Sequence, residues 1–400
     1  MPDILSQGGD REPRAWPRRV AAVVALLVVT AVIVQRLTSH PPAAARASQA
    51  ATTATPAASA PPAAGLPAGP SGITGPTLPW PATLRVPATG AQPEWFWPVT
   101  GRGQPIGGLP RSSRGYAFIR AGGGWAIQPA APVRLGSCGC GGAPLPVYFL
   151  ADGARSVTGI GTADLVAPAA TPGALWLTSY PPGTDSSTAA GTAREVGVTG
   201  APAGPQVRLP AGYVIDRATV RGLLLVPVVR RPGATADKLW DPAAPQASRA
   251  FSGVIATNAT EIAWVTGCAR LCQVHVLDLA TGRVTVVRLA GVSSAASAAF
   301  SPDGAFLALE VTFYGGSDDG QIATQLDVAS TATGRVTALR STYASSDALA
   351  GFGWPSGGRT LVAEMSFTTR LELAAWRPGA ARLALAVVRS RQNTATLVVG

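Results

Sequence analysis

The sequence is poor in the side chains that most often carry enzyme chemistry. Of 400 residues, only two are histidine and four are cysteine. No nucleophile-elbow or phosphate-binding glycine motif is present. The sequence therefore supports no catalytic residue and no cofactor. It does not exclude an enzyme, because acidic residues that are distant in sequence can converge on one site in a folded chain.

Charged residues are also scarce, at 13% of the chain, although the formal net charge is +11. Lys238 is the single lysine, so arginine supplies nearly all of the positive charge. The arginines are spread thinly and do not alternate with aromatic residues, as a groove that follows phosphates would require. The sequence therefore predicts no nucleic-acid partner.

One uncharged apolar segment, residues 20–34, follows an arginine-rich stretch and precedes Arg36. It is shorter than the roughly 20 residues that cross a bilayer core, but Trp16 and the long Arg36 stem can extend it at the two interfaces. We predict a cytoplasmic tail at 1–19 and a transmembrane signal-anchor helix at 20–37, with the rest of the chain outside the cytoplasm.

A cleaved secretory signal is the alternative to this single-pass anchor. Ala45 and Ala47 flank Arg46 in the small-x-small pattern of a cleavage site. This site lies far beyond the apolar segment, whereas cleavage normally follows the apolar core closely. Cleavage there would release a secreted protein instead of a membrane-anchored one.

Residues 38–94 are dominated by Ala, Pro, Thr, Ser and Gly. Such a composition cannot bury a core, and its prolines favour extended conformers. We predict a disordered Pro/Ala-rich stalk that holds the following domain away from the membrane.

Residues 95–400 show the pattern of an all-β domain. Short apolar or alternating runs are separated by turn-forming clusters, and no long helical period appears. The clearest runs are 116–119, 174–178, 223–229, 261–265, 306–311 and 360–365. Their spacing is close to the length of one four-stranded propeller blade.

An internal repeat supports the same architecture. The sequence ATGRVT occurs at residues 280–285 and again at 332–337. The Thr-Gly step suits a tight hairpin turn, and the flanking valines suit strands. A turn-then-strand pattern also repeats, as FSPDG at 300–304 and WPSGG at 354–358.

These motifs, with EIAWV at 261–265 and LWDP at 239–242, resemble the blades of TolB-like and WD-repeat-like β-propellers, most closely the exported actinobacterial members. The resemblance covers residues 240–376 well and weakens toward residue 96. It implies a β-propeller at 95–400. Six blades are favoured and seven are possible, with the ring closed by residues 382–399 or by the strand near Trp97.

The cysteines form two close pairs, and an oxidising compartment favours disulfides. We expect Cys268 to pair with Cys272, whereas a bond between Cys138 and Cys140 would close a very small ring. A zinc or copper site of four thiolates is the alternative, but the spacing matches no known zinc knuckle.

Four other features have a functional and a structural interpretation. His275 could be a general base, but Asp278 should face away from it on a strand. Asp318, Asp319 and Gly320 could bind calcium, or form a solvated turn. Asp303 fits a turn former. Six tryptophans could form a sugar-binding pocket or pack between sheets: Trp125, Trp176, Trp240, Trp264, Trp354 and Trp376.

The sequence thus favours a membrane-anchored extracytoplasmic propeller that acts as a non-enzymatic binding or scaffold module for cell-envelope protein partners. An exported propeller enzyme that acts on a sugar or another small substrate is one alternative. A second alternative is a ligand-sensing subunit of a membrane signalling complex. Its signal would pass through a partner helix, because the cytoplasmic tail at 1–19 is too short to fold as a domain.

Overall fold

The computed structural model describes most of the chain from residue 82 onward, together with one short earlier strand. The described residues are 72–74, 82–86, 91–98, 100–112, 115–130, 143–184, 187–229, 236–268, 271–314, 322–345, 349–355, 358–367, 370–388 and 396–398. Every helix or strand among them is a β-strand. None of them forms a helix that could cross a membrane, and the predicted anchor at 20–37 lies outside them.

The strands form seven sheets, each of which is one blade of a propeller. Blade 1 contains β2 (Thr83–Val86), β3 (Glu94–Trp97), β4 (Arg102–Pro105) and β29 (Thr396–Val398). Blade 2 contains β5 (Tyr116–Ala121), β6 (Gly124–Pro129), β7 (Leu145–Ala151) and β8 (Thr158–Ala163). Blade 3 contains β9 (Leu165–Pro168), β10 (Ala174–Ser179), β11 (Thr192–Gly197) and β12 (Pro202–Arg208). Blade 4 contains β13 (Tyr213–Thr219), β14 (Gly222–Pro227), β15 (Asp237–Trp240) and β16 (Arg249–Phe251).

The last three blades follow in chain order. Blade 5 contains β17 (Val254–Thr257), β18 (Glu261–Thr266), β19 (Leu271–Asp278) and β20 (Val284–Ala290). Blade 6 contains β21 (Ser294–Phe300), β22 (Phe306–Tyr314), β23 (Ile322–Ser330) and β24 (Val336–Ser345). Blade 7 contains β25 (Leu349–Gly353), β26 (Leu361–Phe367), β27 (Arg370–Trp376) and β28 (Arg382–Val388), with β1 (Gly72–Thr74) added in parallel to β28.

Within a blade we call the strands A to D in the order of the ladder. In blade 1 that order is β29, β2, β3 and β4, so the C-terminal strand supplies strand A. The A strands of several neighbouring blades contact each other, as β17 does with β21 and β9 with β13. These contacts place the A strands at the centre of the ring and the D strands at its rim.

The all-β propeller that the sequence predicts is confirmed, with seven blades, the alternative count, in place of the favoured six. The six clearest predicted strands each lie in a different blade, from blade 2 to blade 7. None of these six strands lies in blade 1, because two distant parts of the chain form this blade. Leu84 of β2 pairs with Val398 of β29, so the segment near Trp97 and the C-terminal strand close the ring together.

The propeller also includes residues that the sequence analysis assigns to the stalk. Strand β1 at Gly72–Thr74 and strand β2 at Thr83–Val86 both lie before residue 95. Short strands next to prolines give a weak local signal, and each of these two strands has a pairing partner hundreds of positions away in the sequence, β28 for β1 and β29 for β2.

The core consists of seven apolar clusters, and each joins two neighbouring blades. Side chains alternate between the two faces of a strand. In β26, Leu361 and Ala363 pack toward blade 6, whereas Val362 packs toward blade 1. Because both faces of the middle strands are buried, their sequences are continuous apolar runs.

Most of the predicted tryptophan set belongs to this core. Trp125, Trp176, Trp240, Trp354 and Trp376 are buried, with exposures of 3–8%. The indole nitrogen of Trp354 donates to the carbonyl of Ala299 in blade 6 at 3.0 Å. These side chains pack between sheets, so they do not form a sugar-binding pocket.

Candidate functional site

The structure contains a disulfide between Cys268 and Cys272, with an S–S distance of 2.00 Å. It joins the end of strand B to the start of strand C in blade 5. Cys138 and Cys140 lie outside the described residues, as do Asp318, Asp319 and Gly320. Within the described ranges, no three His, Cys, Asp or Glu side chains are grouped as a metal site would require.

His275 lies on strand C of blade 5 in a largely structural setting. Its Nε2 is 2.9 Å from the hydroxyl of Thr266, and its ring stacks on Trp264 with a centroid distance of 5.2 Å. Phe251 of blade 4 meets the same tryptophan edge-on at 5.3 Å. The described contacts of His275 include no carboxylate, so the arrangement lacks the third member of a catalytic triad.

Asp303 forms a turn in blade 6, as its sequence context predicts. Its Oδ1 accepts hydrogen bonds from the Ser301 hydroxyl at 2.7 Å and from the Ala305 amide at 3.1 Å. Its Oδ2 is 3.0 Å from Nε of Arg359 in blade 7. The exposed position of that arginine makes the ion pair a weak link between blades.

A distinct feature occurs where blades 5 and 6 meet, at the end that carries the A–B and C–D turns. The two ATGRVT copies form the C–D turns of these blades, with Gly282 and Gly334 at positive φ angles of 76° and 70°. The guanidinium of Arg283 in the first turn donates to the carbonyl of Ala332 in the second. A second arginine joins blades 4 and 5, where Nε of Arg221 in the A–B turn of blade 4 donates to the carbonyl of Leu279 at 3.0 Å.

A cavity of about 250 Å³ lies between these two turns, and we call it the seam cavity. Its walls include Glu261, Asp278, Thr281, Arg283, Thr331 and Ala332. The volume equals that of about eight water molecules at roughly 30 Å³ each. It is smaller than the pockets that hold drug-sized ligands, so it suits one side chain or one small polar group.

Two carboxylates stand directly opposite each other in this cavity. Glu261 begins strand B, Asp278 ends strand C, and the two are partners in the antiparallel ladder. Directly opposed side chains lie on the same face of a sheet, and like charges in that arrangement destabilise it.

No other blade has two charged residues at this position. The corresponding first pairs of the B–C ladder are Thr83–Phe96, Gly124–Ala151, Ala174–Gly197, Leu223–Trp240, Phe306–Ser330 and Leu361–Trp376. Blade 6 builds the same ATGRVT turn with Phe306 and Ser330, so the turn does not require a carboxylate at the position of Glu261. The fold accounts for Asp278, which accepts hydrogen bonds from its own turn, but not for the buried Glu261 opposite it.

The environments of the two carboxylates shift their pKa values in opposite directions. Burial raises the pKa of Glu261, and the negative charge of Asp278 raises it further, although a hydrogen bond from Asn258 opposes the shift. Hydrogen bonds from the hydroxyl and backbone of Thr281 and from the amide of Ala280 lower the pKa of Asp278. Asp278 is thus held ionised by its turn, while Glu261 is only 9% exposed.

The Glu261–Asp278 pair was not predicted from the sequence. The two residues lie at the open end of one hairpin, and they are seen to be partners only when the register of the ladder is known. The signal that could have found them is the repeat itself. Aligning its two copies places Asp278 against Ser330, and aligning the starts of the two B strands places Glu261 against Phe306.

No protein-family model and no curated protein matches the chain. Among solved structures, it is similar to a putative 6-phosphogluconolactonase from Bacteroides fragilis, with 12% identity, coverage of 79% of this chain and 98% of that chain, and a TM-score of 0.44. A periplasmic gluconolactonase from Pseudomonas aeruginosa shows 15% identity, 80% and 98% coverage, and a TM-score of 0.42. TolB from Acinetobacter baumannii shows 15% identity, 64% and 61% coverage, and a TM-score of 0.37. Similarities this low carry no argument about function, and the propeller assignment rests on the strand pairing of this chain.

Proposed function

We propose that the chain is a membrane-anchored extracytoplasmic propeller, of the exported actinobacterial type, that acts as a non-enzymatic binding or scaffold module for cell-envelope partners. One observation carries the binding role. In the seam cavity the buried Glu261 stands opposite the turn-forming Asp278, a like-charged arrangement that lowers stability, and the same turn in blade 6 has Phe306 in place of Glu261. Side chains that lower stability without a structural need are typical of functional sites.

The extracytoplasmic location is supported by the apolar segment at 20–37 and by the arginines that precede it. An alkaline phosphatase fused after residue 400 should be active in intact cells, and it should remain with the membrane fraction. A fusion that is active but fully released into the medium would favour the cleaved signal. An inactive fusion with normal expression would contradict export.

The partner role is tested by affinity isolation of the tagged full-length protein from gently cross-linked membranes. A chain that ends at residue 71 retains the predicted anchor and lacks every described propeller strand, β1 included, so it is a suitable control. Proteins captured only by the full-length chain would support the scaffold role. Identical sets from both chains would contradict it.

An enzyme is a second candidate because two carboxylates with opposite pKa shifts can divide acid and base roles. Asp278 argues against this role, since both of its oxygens are engaged by its own turn. A screen of sugar and lactone substrates with the wild type and Glu261→Gln would decide. Turnover that the substitution abolishes would establish the enzyme.

A further inference from the structure

The seam cavity contains a buried carboxylate without a counter-charge. Glu261 is hydrogen-bonded by the Asn258 amide, whose Nδ2 is 2.9 Å from Oε2, and it interacts with the hydroxyl of Thr331. Both partners are neutral. The ion pairs among the described residues join other side chains and do not include Glu261. A buried carboxylate in this state is strongly stabilised by any cation that reaches it.

The arginine in the cavity wall does not fill that role. Arg283 donates through Nη2 to the Ala332 carbonyl and to the Thr285 hydroxyl, and its charge acts on Asp278. With one positive and two negative groups, the lining carries a net charge of −1. This charge stands out in a protein with a formal net charge of +11.

We propose that the seam cavity binds a primary ammonium group, with the Glu261 carboxylate as its counter-charge and the threonine hydroxyls around it as further acceptors. This inference rests on the proposed binding function and names its ligand chemistry.

The geometry favours ammonium over other cations. An ammonium has three donors on a compact head, and the cavity offers one carboxylate together with the hydroxyls of Thr281 and Thr331. A guanidinium prefers a carboxylate with both oxygens available, but Asn258 already occupies Oε2 of Glu261. Calcium needs six to eight oxygen ligands, and the described residues contain no cluster of that kind. Val276 in the wall can pack against an aliphatic stem.

The ammonium comes from another molecule. The only lysine of this chain, Lys238, lies 4.4 Å above the ring of Tyr213 in a cation–π contact. The two remaining sources are a lysine side chain of a partner protein and a small amine.

Calorimetric titration of the full-length protein in detergent tests the ammonium site directly. Nα-acetyl-lysine amide is the probe, and Nα-acetyl-norleucine amide has almost the same stem without the charge. We expect the lysine derivative to bind and the norleucine derivative to show no binding. Equal binding of the two, or no binding of either, would overturn the proposal.

Variants then assign the site. Glu261→Gln should weaken the binding of the lysine derivative by roughly tenfold or more, since a charged hydrogen bond is lost. Glu261→Asp alters the same packing but keeps the charge, so it should retain more affinity than E261Q. Glu195→Gln is the matched control on blade 3 and should bind like the wild type. Unchanged affinity in a folded E261Q would overturn the assignment.

Repeating the cross-linked isolation with E261Q distinguishes a partner lysine from a small amine as the ligand. It also tests the scaffold role separately from the ammonium site. Partners that disappear with E261Q indicate a lysine of a partner protein. If the lysine derivative binds but the wild type captures no domain-dependent protein, the ammonium belongs to a small amine, and the scaffold role fails while the cavity site stands. If partners are captured but the lysine derivative does not bind, the scaffold role stands and the ammonium site fails.

Discussion

At the scale of single residues, two of the buried carboxylates, Glu261 and Asp327, lie in different surroundings. Glu261 lines a cavity and is opposed by a second carboxylate. Asp327 is fully buried on strand C of blade 6, where the side-chain amide of Gln325 donates to its Oδ1 at 2.6 Å. Its Oδ2 has no hydrogen-bond partner among the described residues. The first arrangement is open to a ligand, whereas the second is enclosed.

Glu261→Gln should stabilise the fold while it weakens ligand binding. The substitution removes a like-charge contact across a strand pair, which is worth about 0.2–1 kcal/mol. Urea unfolding at neutral pH measures the gain, with Glu195→Gln as the control of equal chemistry. A loss of stability in E261Q would mean that the carboxylate is structural and would weaken the case for a binding site.

Asp327→Asn should change how stability depends on pH. Burial raises the pKa of Asp327 from 3.8 to about 7. Because the folded state holds the proton more tightly than the unfolded state, this group favours folding at low pH, and that stability is lost as the pH rises through about 7. Between pH 3.8 and about 7, the free energy of unfolding falls by at most about 1.4 kcal/mol per pH unit.

Asn keeps the shape of the side chain and does not ionise in this range. The free energy of unfolding of D327N should therefore exceed that of the wild type at pH 8, and the two should converge near pH 4. Unfolding curves across this range measure the difference. Parallel curves for the wild type and D327N would refute the buried acid.

At the scale of elements, the two ATGRVT turns have the same sequence but different surroundings. A Cβ on Gly282 would meet nothing within 4 Å, whereas one on Gly334 would lie 2.6 Å from the carbonyl oxygen of Val286 in blade 5. The second turn is thus packed against the neighbouring blade and the first is free on that side. Position in the ring, rather than local sequence, sets this difference.

Gly334→Ala should therefore destabilise the propeller more than Gly282→Ala. Both substitutions place a side chain at positive φ, which costs about 1–2 kcal/mol. Only the first also forces a backbone contact, which adds roughly 1–3 kcal/mol. Chemical unfolding of the two variants provides the comparison, and equal losses would contradict the close contact between blades.

At the scale of the whole molecule, stability depends on closure of the ring. The seven interfaces between blades bury the core, and blade 1 is completed by residues from both ends of the propeller. Strand β29 covers the edge of β2, and an open edge invites pairing with other chains.

Truncation after residue 392 should consequently lower the unfolding midpoint and promote self-association. It removes β29 and leaves the edge of β2 that pairs with it, at Leu84, without a partner strand. Deletion of residues 399–400 alone is the control, because it leaves all three residues of β29 in place. Unfolding and size-exclusion profiles report the two effects. A truncated chain that remains as stable and as monodisperse as the control would show that closure is unnecessary.

The sequence predicts the parts of the fold that are encoded locally. Apolar runs such as 261–265 and 306–311 reveal middle strands because both of their faces are buried, and the turn motifs mark where strands end. Blade 1 could not be predicted in this way. Strand β4, Arg102–Pro105, is largely exposed, and β29 is paired with a segment about 300 positions earlier. The acidic pair was hidden for a different reason, because its members lie on the two strands of one hairpin and only the register of that hairpin places Glu261 opposite Asp278.

The most direct measurement is site-specific photo-cross-linking from the rim of the seam cavity in living cells. In the test variant, a photoreactive phenylalanine replaces Ala332, which lines the cavity. In the control variant it replaces Ala280, the same position in the ATGRVT turn of blade 5. The binding account predicts adducts from position 332 that diminish in Glu261→Gln, and few adducts from position 280. Equal adducts from both positions, or adducts from 332 that persist unchanged in E261Q, would contradict it.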